Sequence, residues 1–197
     1  WQRFDLVVVR STWDYVPRRD RFIRWAESVP WLLNRPEVIA WNTDKRYLCQ
    51  LPSAVATEFI APGENRVPPA GDYVIKPSLS AGSRDTARYG PGQHEQAHAH
   101  LDALLNAGRT VMVQPYLGEV ERHGETALLY FDGQFSHAIR KGPLLQPRSG
   151  PSTPLFVEED ITPRRPRPDE LAAAEEILDG LPWPRQELLY ARVDLIP

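Results

Sequence analysis

Residues 74–85, VIKPSLSAGSRD, put a lysine where a short apolar strand meets a loop of small polar residues. A cation there suits a phosphate group, because small side chains let backbone N–H groups approach an anion and hydroxyls add further donors. The candidate ligands are Lys76, Ser80, Gly82 and Ser83. The spacing is not that of the GxxxxGK[ST] phosphate loop, and a surface turn with a solvated lysine is the alternative interpretation.

Two other stretches carry groups suited to a nucleotide. Lys45 lies near the start of a predicted helix, where the helix dipole disfavours a cation unless a ligand requires one. The stretch QPYLGEVE (114–121) leaves a strand, so its backbone could meet a purine edge, and Glu121 could accept hydrogen bonds from ribose hydroxyls. A solvated lysine and an ordinary strand end with a surface glutamate are the alternatives.

The stretch YARVDLI (190–196) sets Arg192 and Asp194 two residues apart on a predicted strand. Side chains at i and i+2 leave the same face of a strand, so these two groups can meet. They form either a structural ion pair or an anion clamp beside a magnesium ligand, and the sequence leaves both interpretations open.

The stretch RSTWDY follows an apolar run of the kind found in parallel sheets, whose carboxyl edge is where ligands bind. Arg10 offers a planar fork for a carboxylate, Ser11 and Thr12 offer donors. Trp13 offers an apolar wall, and Asp14 offers an acceptor for an amine. This set suits an amino-acid-like substrate, and a turn in which Arg10 pairs with Asp14 is the alternative.

The stretch HEQAH (94–98) matches the H-E-x-x-H pattern of zinc proteases, with Glu95 as a candidate base. No histidine stands six residues beyond His98, where the sequence has Leu104, and the segment reads as a solvated helix. A zinc hydrolase is therefore the minor alternative. A non-catalytic protein that binds nucleotide or a partner is a third class.

Local patterns predict the elements that position these groups. Strands are predicted at 4–10, 38–42, 73–77, 110–117 and 188–196, with a hairpin over 125–141 that turns at Asp132-Gly133. Helices are predicted from Asp20 through Val29, over 44–51 with Thr43 as cap and Cys49 in the core, over 93–107, and over 169–180 with Asp169 as cap. Residues 142–168 hold seven of the twenty prolines and are predicted to form a long loop.

Composition excludes several classes of protein. The net charge of −3 provides no basic footprint for nucleic acid. No apolar run approaches the roughly 18 residues that span a bilayer, and no signal-peptide pattern is present. The single cysteine, Cys49, excludes an intrachain disulfide and agrees with a reducing cytoplasm. Strand-like runs at both ends lead us to expect that the sequence is part of a larger protein.

In their order along the chain, the motifs from about residue 38 onward resemble those of the ATP-grasp superfamily of carboxylate–amine ligases. By that resemblance, Lys45 and Lys76 are the two phosphate-binding lysines, and SLSAGS (78–83) is the loop that closes over the phosphates. The resemblance assigns the adenine-contacting linker and the ribose acceptor to Gln114, Tyr116, Leu117 and Glu121.

The same resemblance assigns the chemistry to later motifs. Arg192 is expected to steady the acyl-phosphate reaction, Asp194 to bind magnesium, and Arg140 and Lys141 to join the catalytic set. RSTWDY, NTDKRYL, AGSRDTAR and HAIRKGP are similar to the branch that contains the O-ureido-serine cyclo-ligase of D-cycloserine biosynthesis. The superfamily places further metal ligands on a strand after RVD, so we expect part of the catalytic apparatus to lie beyond Pro197.

The resemblance implies an α+β fold in which two ATP-grasp lobes, 42–117 and 118–197, clasp a nucleotide. Residues 1–41 would be the end of a Rossmann-like pre-ATP-grasp domain. The implied activity is an ADP-forming C–N ligation that uses ATP and Mg²⁺, passes through an acyl phosphate and acts on a small amino-acid-like substrate, with ring closure as one option. No nucleic acid or membrane partner is expected, the expected location is the cytoplasm, and a homodimer is one option for the oligomeric state.

The two interpretations of RSTWDY predict different results for Arg10→Lys, which keeps the charge but loses the planar fork. If Arg10 binds a substrate carboxylate, the substrate KM should rise strongly while ATP binding and folding stay near normal. Steady-state kinetics and thermal unfolding of the variant measure both quantities. A lower Tm with unchanged substrate kinetics would make the segment structural.

Overall fold

The computed structural model describes residues 1–10, 12, 14–145, 147, 149–152 and 159–197. These residues form three sheets, and each is associated with its own cluster of buried apolar side chains. Among the described helices, none is long and apolar enough to cross a membrane.

The amino-terminal unit is built around two short parallel strands. Strand β1 (Val7–Val8) pairs with β2 (Leu32–Leu33), and helix α1 (Arg19–Glu27) connects them. The strand predicted over 4–10 is parallel as expected but only two residues long. The helix predicted from Asp20 is confirmed, although Arg18 occupies the N-cap position and Asp20 lies in the first turn.

The strand predicted over 38–42 is wrong, because these residues belong to helix α2 (Pro36–Asn42). Pro36 has a fixed φ that suits the first turn of a helix. Val38 packs on the core of the carboxyl-terminal sheet, whereas Ile39 packs in the core of the amino-terminal unit. Because α2 is buried against both of these cores, residues 38–41 form a continuous apolar run. Periodicity alone cannot distinguish such a run from a buried strand.

The next helix is a 3-10 helix, Lys45–Gln50, and its cap differs from the prediction. Asp44 caps it by accepting a hydrogen bond from the Arg46 N–H at 3.1 Å. Thr43 instead accepts a hydrogen bond from Arg19 Nε at 2.9 Å. Cys49 is exposed on this helix, so its predicted place in the core is wrong.

An antiparallel sheet in the middle of the chain forms the small lobe. It comprises β3 (Glu58–Ile60), β4 (Tyr73–Pro77), β5 (Ala87–Tyr89) and β6 (Val111–Pro115), in the order β3-β6-β4-β5. Helix α3 (His94–Asn106) covers one face of this sheet and buries Ala97, Leu101 and Leu104 in the core between helix and sheet. The predicted strands and helix of this lobe are confirmed.

A second antiparallel sheet forms the large lobe, after the four-residue helix α4 (Val120–His123). Its strands are β7 (Glu125–Phe131), β8 (Gln134–Lys141), β9 (Ile161–Arg164) and β10 (Tyr190–Leu195), in the order β10-β7-β8-β9. The predicted hairpin is confirmed, with positive φ at Asp132 and Gly133 as a tight two-residue turn requires. Strand β9 lies inside the stretch predicted to be loop throughout.

Helix α5 (Pro168–Asp179) packs against the large-lobe sheet and is held there by Glu170. Glu170 accepts hydrogen bonds from the Arg167 N–H at 2.7 Å, the Thr126 hydroxyl at 2.7 Å and Arg164 Nη2 at 3.3 Å. Arg167 occupies the N-cap position, so Asp169 is not the cap that the sequence predicts. Burial raises the pKa of Glu170, but these partners together hold it below its ordinary range.

We predict that Glu170→Gln lowers the free energy of unfolding by about 2 kcal/mol at pH 7, since a buried charge partner is lost. A carboxylate with a depressed pKa contributes stability above its ordinary value of 4.5 and loses it as the pH falls further. The difference between wild type and variant should therefore shrink below pH 4.5. Urea unfolding at several pH values measures it, and a pH-independent difference would contradict the assignment.

Candidate functional site

The chain has three lysines and twenty arginines, and the three lysines gather between the two antiparallel sheets. After burial, the charge of Lys76 lowers the pKa of Lys45, and the charge of the Glu125 carboxylate acts on Lys76 in the opposite direction to its burial. Glu125 in turn pairs with Lys141. A set of charges from both lobes therefore meets at one place.

Lys45 is anchored to the loop that follows β4. Its Nζ donates to the Ser80 carbonyl at 2.7 Å and to the Ser80 hydroxyl at 2.9 Å, and its backbone N–H donates to the Ser78 carbonyl. Burial and then the nearby charge of Lys76 lower the pKa of Lys45 to about 8. Its ammonium is therefore held where a positive charge is unfavourable without an anion.

Lys76 lies near the end of β4, opposite Met112 of β6, with strands on both sides. Burial lowers the pKa of Lys76, and the charge of Glu125 opposes that shift. Among the described residues, the lysine ion pairs are those that Lys141 makes with Glu125 and Asp194. Within the described part of the chain, Lys76 thus forms no ion pair with a carboxylate, and its charge acts on Lys45.

The loop after β4, which carries the predicted phosphate ligands, contains residues with positive φ. Gly82 and Ser83 have φ values of 62° and 59°, and Asp85 has a φ of 55°. Arg109 fastens the loop by donating to the Leu79 carbonyl at 2.8 Å and to Asp85. Consecutive residues with positive φ are uncommon and occur at functional turns.

On the large lobe, Arg192 and Asp194 form the ion pair that their spacing allows. Arg192 donates through Nε and Nη2 to the two carboxylate oxygens, at 2.7 and 2.8 Å. Lys141 Nζ lies 3.2 Å from Asp194 and also contacts Glu125. Burial raises the pKa of Asp194, but the two cations outweigh it and the net pKa lies below the ordinary range.

Arg140 and Lys141 are adjacent on β8, so their side chains leave opposite faces of the sheet. Lys141 reaches the cluster with Asp194. Arg140 instead donates to the His123 carbonyl at 3.1 Å and lies 3.4 Å from Asp160. The structure therefore brings Lys141 and Arg192 together and leaves Arg140 apart from them, against the joint placement that the sequence suggested.

The segment between the lobes is ordered by a stack that sequence reasoning missed. The Arg88 guanidinium lies 3.6 Å from the centre of the Tyr116 ring, and both residues bond to Glu121, at 2.8 and 2.6 Å. Burial and then the Glu121 bond raise the pKa of Tyr116 to about 12. Gln114 donates to the Thr57 hydroxyl at 2.7 Å, and the Leu117 carbonyl accepts from the Val120 N–H.

Two more residues near the cluster were missed. Glu125 begins β7, and Tyr47 on the 3-10 helix lies close enough to Asp194 that this carboxylate, after burial, raises the pKa of Tyr47. Tyr47 lies in the NTDKRYL stretch, but nothing in that stretch marked it as a site residue, and Glu125 belongs to none of the motifs. The alternation of β7 and β8 was the signal that could have found Glu125, because it lies directly opposite Lys141.

The RSTWDY segment is described in part, since Ser11 and Trp13 lie outside the described residues. The Arg10 guanidinium lies 4.7 Å from the centre of the Tyr190 ring, at the start of the strand that carries Arg192. Thr12 is exposed. Asp14 is exposed and lies 4.0 Å from Arg18, and the ion pairs among the described residues do not include one between Asp14 and Arg10.

The HEQAH stretch opens α3 as predicted, with His94 exposed and His98 half-buried, while His100 outside the motif is buried against Tyr89. Within the described residues, no group of three or more His, Cys, Asp or Glu side chains is arranged to hold a metal ion. The geometry of the described part of the chain therefore does not favour the zinc interpretation.

Solved structures show which class of fold this is. A D-alanine–D-alanine ligase from Bacillus anthracis complexed with ATP matches with a TM-score of 0.63 and 12% identity, over 98% of this chain and 64% of that one. The ATP-grasp ligase PsnB complexed with a minimal precursor matches with a TM-score of 0.54 and 19% identity, over 96% and 64%. The predicted α+β ATP-grasp fold is therefore confirmed.

Sequence comparison narrows the class to a family. The cycloserine biosynthesis protein DcsG of Streptomyces lavendulae is 35% identical over 218 residues, which cover 100% of this chain and 72% of the relative. The crystal structure of D-cycloserine synthetase DcsG matches with a TM-score of 0.85 and 33% identity, over the same shares. Residues 1–34 match the family described as the N-terminal domain of D-cycloserine synthetase DcsG. The chain belongs to the DcsG family of ATP-grasp ligases, which form C–N bonds.

We predict that Lys45→Met stabilises the ligand-free protein at pH 7 by roughly 1 kcal/mol, after allowance for the lost bonds to Ser80. The folded-state pKa of about 8 lies below the ordinary 10.5, so the charged lysine destabilises the fold below pH 8. That penalty disappears as the pH rises from 8 to 10.5. Thermal unfolding between pH 7 and 10 should show that the stability gained by the variant shrinks as the pH rises. A variant less stable than wild type at pH 7 would contradict the predicted cost of the charged lysine.

Proposed function

We propose that this protein is an ATP-dependent ligase that activates the carboxylate of a small amino-acid-like substrate as an acyl phosphate. The observation that carries the proposal is the buried pair of Lys45 and Lys76. Burial lowers the pKa of both lysines, the charge of Lys76 lowers the pKa of Lys45 further, and among the described residues neither ammonium forms an ion pair with a carboxylate. Such a pair becomes favourable when a polyanion lies between the two charges.

The residues present fit ATP. Lys45 and Lys76 would hold its phosphates, and Ser80, Gly82 and Ser83 supply the small turn from which hydroxyl and N–H groups approach an anion. The nucleoside would lie along the inter-lobe segment of Gln114, Tyr116 and Leu117. There the Glu121 carboxylate, already oriented by Arg88 and Tyr116, is available to ribose hydroxyls.

The cluster of Lys141, Arg192 and Asp194 on the large lobe fits the phosphate end of the nucleotide, where the reaction would take place. Asp194 offers the hard oxygen donors that Mg²⁺ prefers, and this ion would neutralise charge on the phosphates when bound. Arg192 fixes the orientation of Asp194 through two bonds, while Lys141 adds a third ammonium beside it. Arg192 and Lys141 would then stabilise the charge that develops on the phosphoryl group as it is transferred.

The chemical need for this arrangement follows from the substrate. A free carboxylate is a poor electrophile, because an amine that attacks it would have to expel oxide. In an acyl phosphate the leaving group is phosphate, so the amine nitrogen can form the C–N bond. Water would compete with the amine for the acyl phosphate. A loop that closes over the site would keep water out, which is a physical reason for such a loop.

The RSTWDY segment is our candidate for the substrate side. Arg10 lies against Tyr190 on the strand that carries Arg192 and Asp194, which supports a place for a carboxylate near the cluster. We infer an intramolecular ring closure as the reaction, on the basis of the relation to a D-cycloserine synthetase. A cytoplasmic location is part of the same proposal.

Calorimetry with Mg-ATP tests the nucleotide site. Lys76→Ala should weaken ATP binding roughly tenfold or more, because a charge-assisted phosphate contact is lost. Arg66→Ala is a matched control, since it removes an exposed cation of the same lobe that lies 3.8 Å from Glu58. The control should keep wild-type affinity.

Release of ADP tests the ligase reaction. Wild type incubated with Mg-ATP and amino-acid-like substrates that carry both a carboxylate and an amine should release ADP only when such a substrate is present. Wild-type ATP binding without ADP release would instead assign a non-catalytic nucleotide-binding role. Equal ATP affinity of Lys76→Ala and wild type would remove this lysine from the site.

A further inference from the structure

Glu125 is a carboxylate at the junction of the two lobes. It is the first residue of β7 and lies directly opposite Lys141, the last residue of β8. The two side chains form an ion pair, and they are only 24% and 11% exposed. The charge of Glu125 also reaches Lys76 on the small lobe. One carboxylate therefore acts on a lysine from each lobe.

The backbone before Glu125 is shaped for this contact. Gly124 has a φ of 69°, and a Cβ at this position would lie 2.6 Å from the Lys141 carbonyl and 2.8 Å from Arg140 Nε. Only glycine combines that conformation with such a close approach. The close packing of the chain against the end of β8 sets the Glu125 side chain beside Lys141.

Lys141 needs such a partner to hold one position. A lysine side chain has a flexible stem of four carbons and loses conformational freedom when it is held in one position. Asp194 offers Lys141 a single contact at 3.2 Å, through the Oδ2 atom that also accepts from Arg192. Glu125 is the carboxylate whose ion pair with Lys141 completes the placement.

We propose that Glu125 is a positioning residue, which holds the Lys141 ammonium beside Asp194 so that the lysines of both lobes act on one polyphosphate. The proposal rests on the proposed function. Glu125 would act through Lys141 and need not touch the nucleotide. Electrostatics alone gives the opposite expectation, because the removal of a negative charge beside a polyanion site should strengthen polyanion binding.

The sign of the effect of Glu125→Gln therefore tests the proposal. Positioning predicts that the variant binds Mg-ATP roughly tenfold more weakly, as does Lys141→Gln. The double variant should bind as weakly as Lys141→Gln alone, within about twofold, because Glu125 acts only through Lys141. Glu125→Asp should recover part of the lost affinity.

Glu170→Gln is the matched control. Glu170 is a buried carboxylate that pairs with Arg164 and accepts from Thr126, the neighbour of Glu125 on the opposite face of the sheet. This variant should lower Tm and keep the affinity for Mg-ATP within about twofold of wild type. It separates loss of stability from loss of positioning.

Calorimetry on the folded variants distinguishes the outcomes. Tighter binding by Glu125→Gln would make Glu125 a competing counter-ion, and unchanged binding with a lower Tm would make it structural. If the losses of Mg-ATP affinity of the two single variants add in the double variant, Glu125 acts on binding by a route other than Lys141. Each of these results overturns the inference while wild type still binds Mg-ATP. No binding by wild type would overturn the proposed nucleotide site and the inference with it.

Discussion

The removal of two lysine ammonium groups from water is the constraint that shapes this protein's candidate site. It lowers the pKa of both Lys45 and Lys76, and the charge of Lys76 lowers the pKa of Lys45 further. The fold offsets this with the oxygen atoms of Ser80 and with the charge of Glu125 across the lobe boundary. The ligand-free protein therefore holds positive charge in readiness for an anion, at the expense of its own stability.

The use of lysine and arginine follows the same physical reasoning. Many of the described arginines serve in ion pairs, stacks and carbonyl contacts, where a planar group with several donors is an advantage. The three lysines all lie at the candidate site. An ammonium is a compact charge whose pKa responds to burial. Its charged form is therefore unfavourable without a ligand and becomes favourable when an anion binds.

Strand alternation decides which side chains share the site. Lys141 and Arg140 are neighbours in sequence, yet only Lys141 faces Asp194, and Arg140 supports the turn at His123. In the same way, Glu125 faces the cluster whereas its neighbour Thr126 holds Glu170 and helix α5 on the other face. One sheet thus separates the residues of the candidate site from those that anchor its supporting helix.

Local sequence determined those features that depend on neighbouring residues. The Asp132-Gly133 hairpin, the small-lobe strands β4 and β6, helix α3 and the same-face pair of Arg192 and Asp194 were predictable, because turn chemistry and side-chain periodicity act over a few residues. Tertiary structure alone decided that residues 38–42 are helical, since burial on two sides hides the helical period. It also brought Arg88 to Tyr116 and Glu125 to Lys141. Those contacts join residues that are distant in sequence, and only the pairing of strands and the packing of the two lobes specifies them.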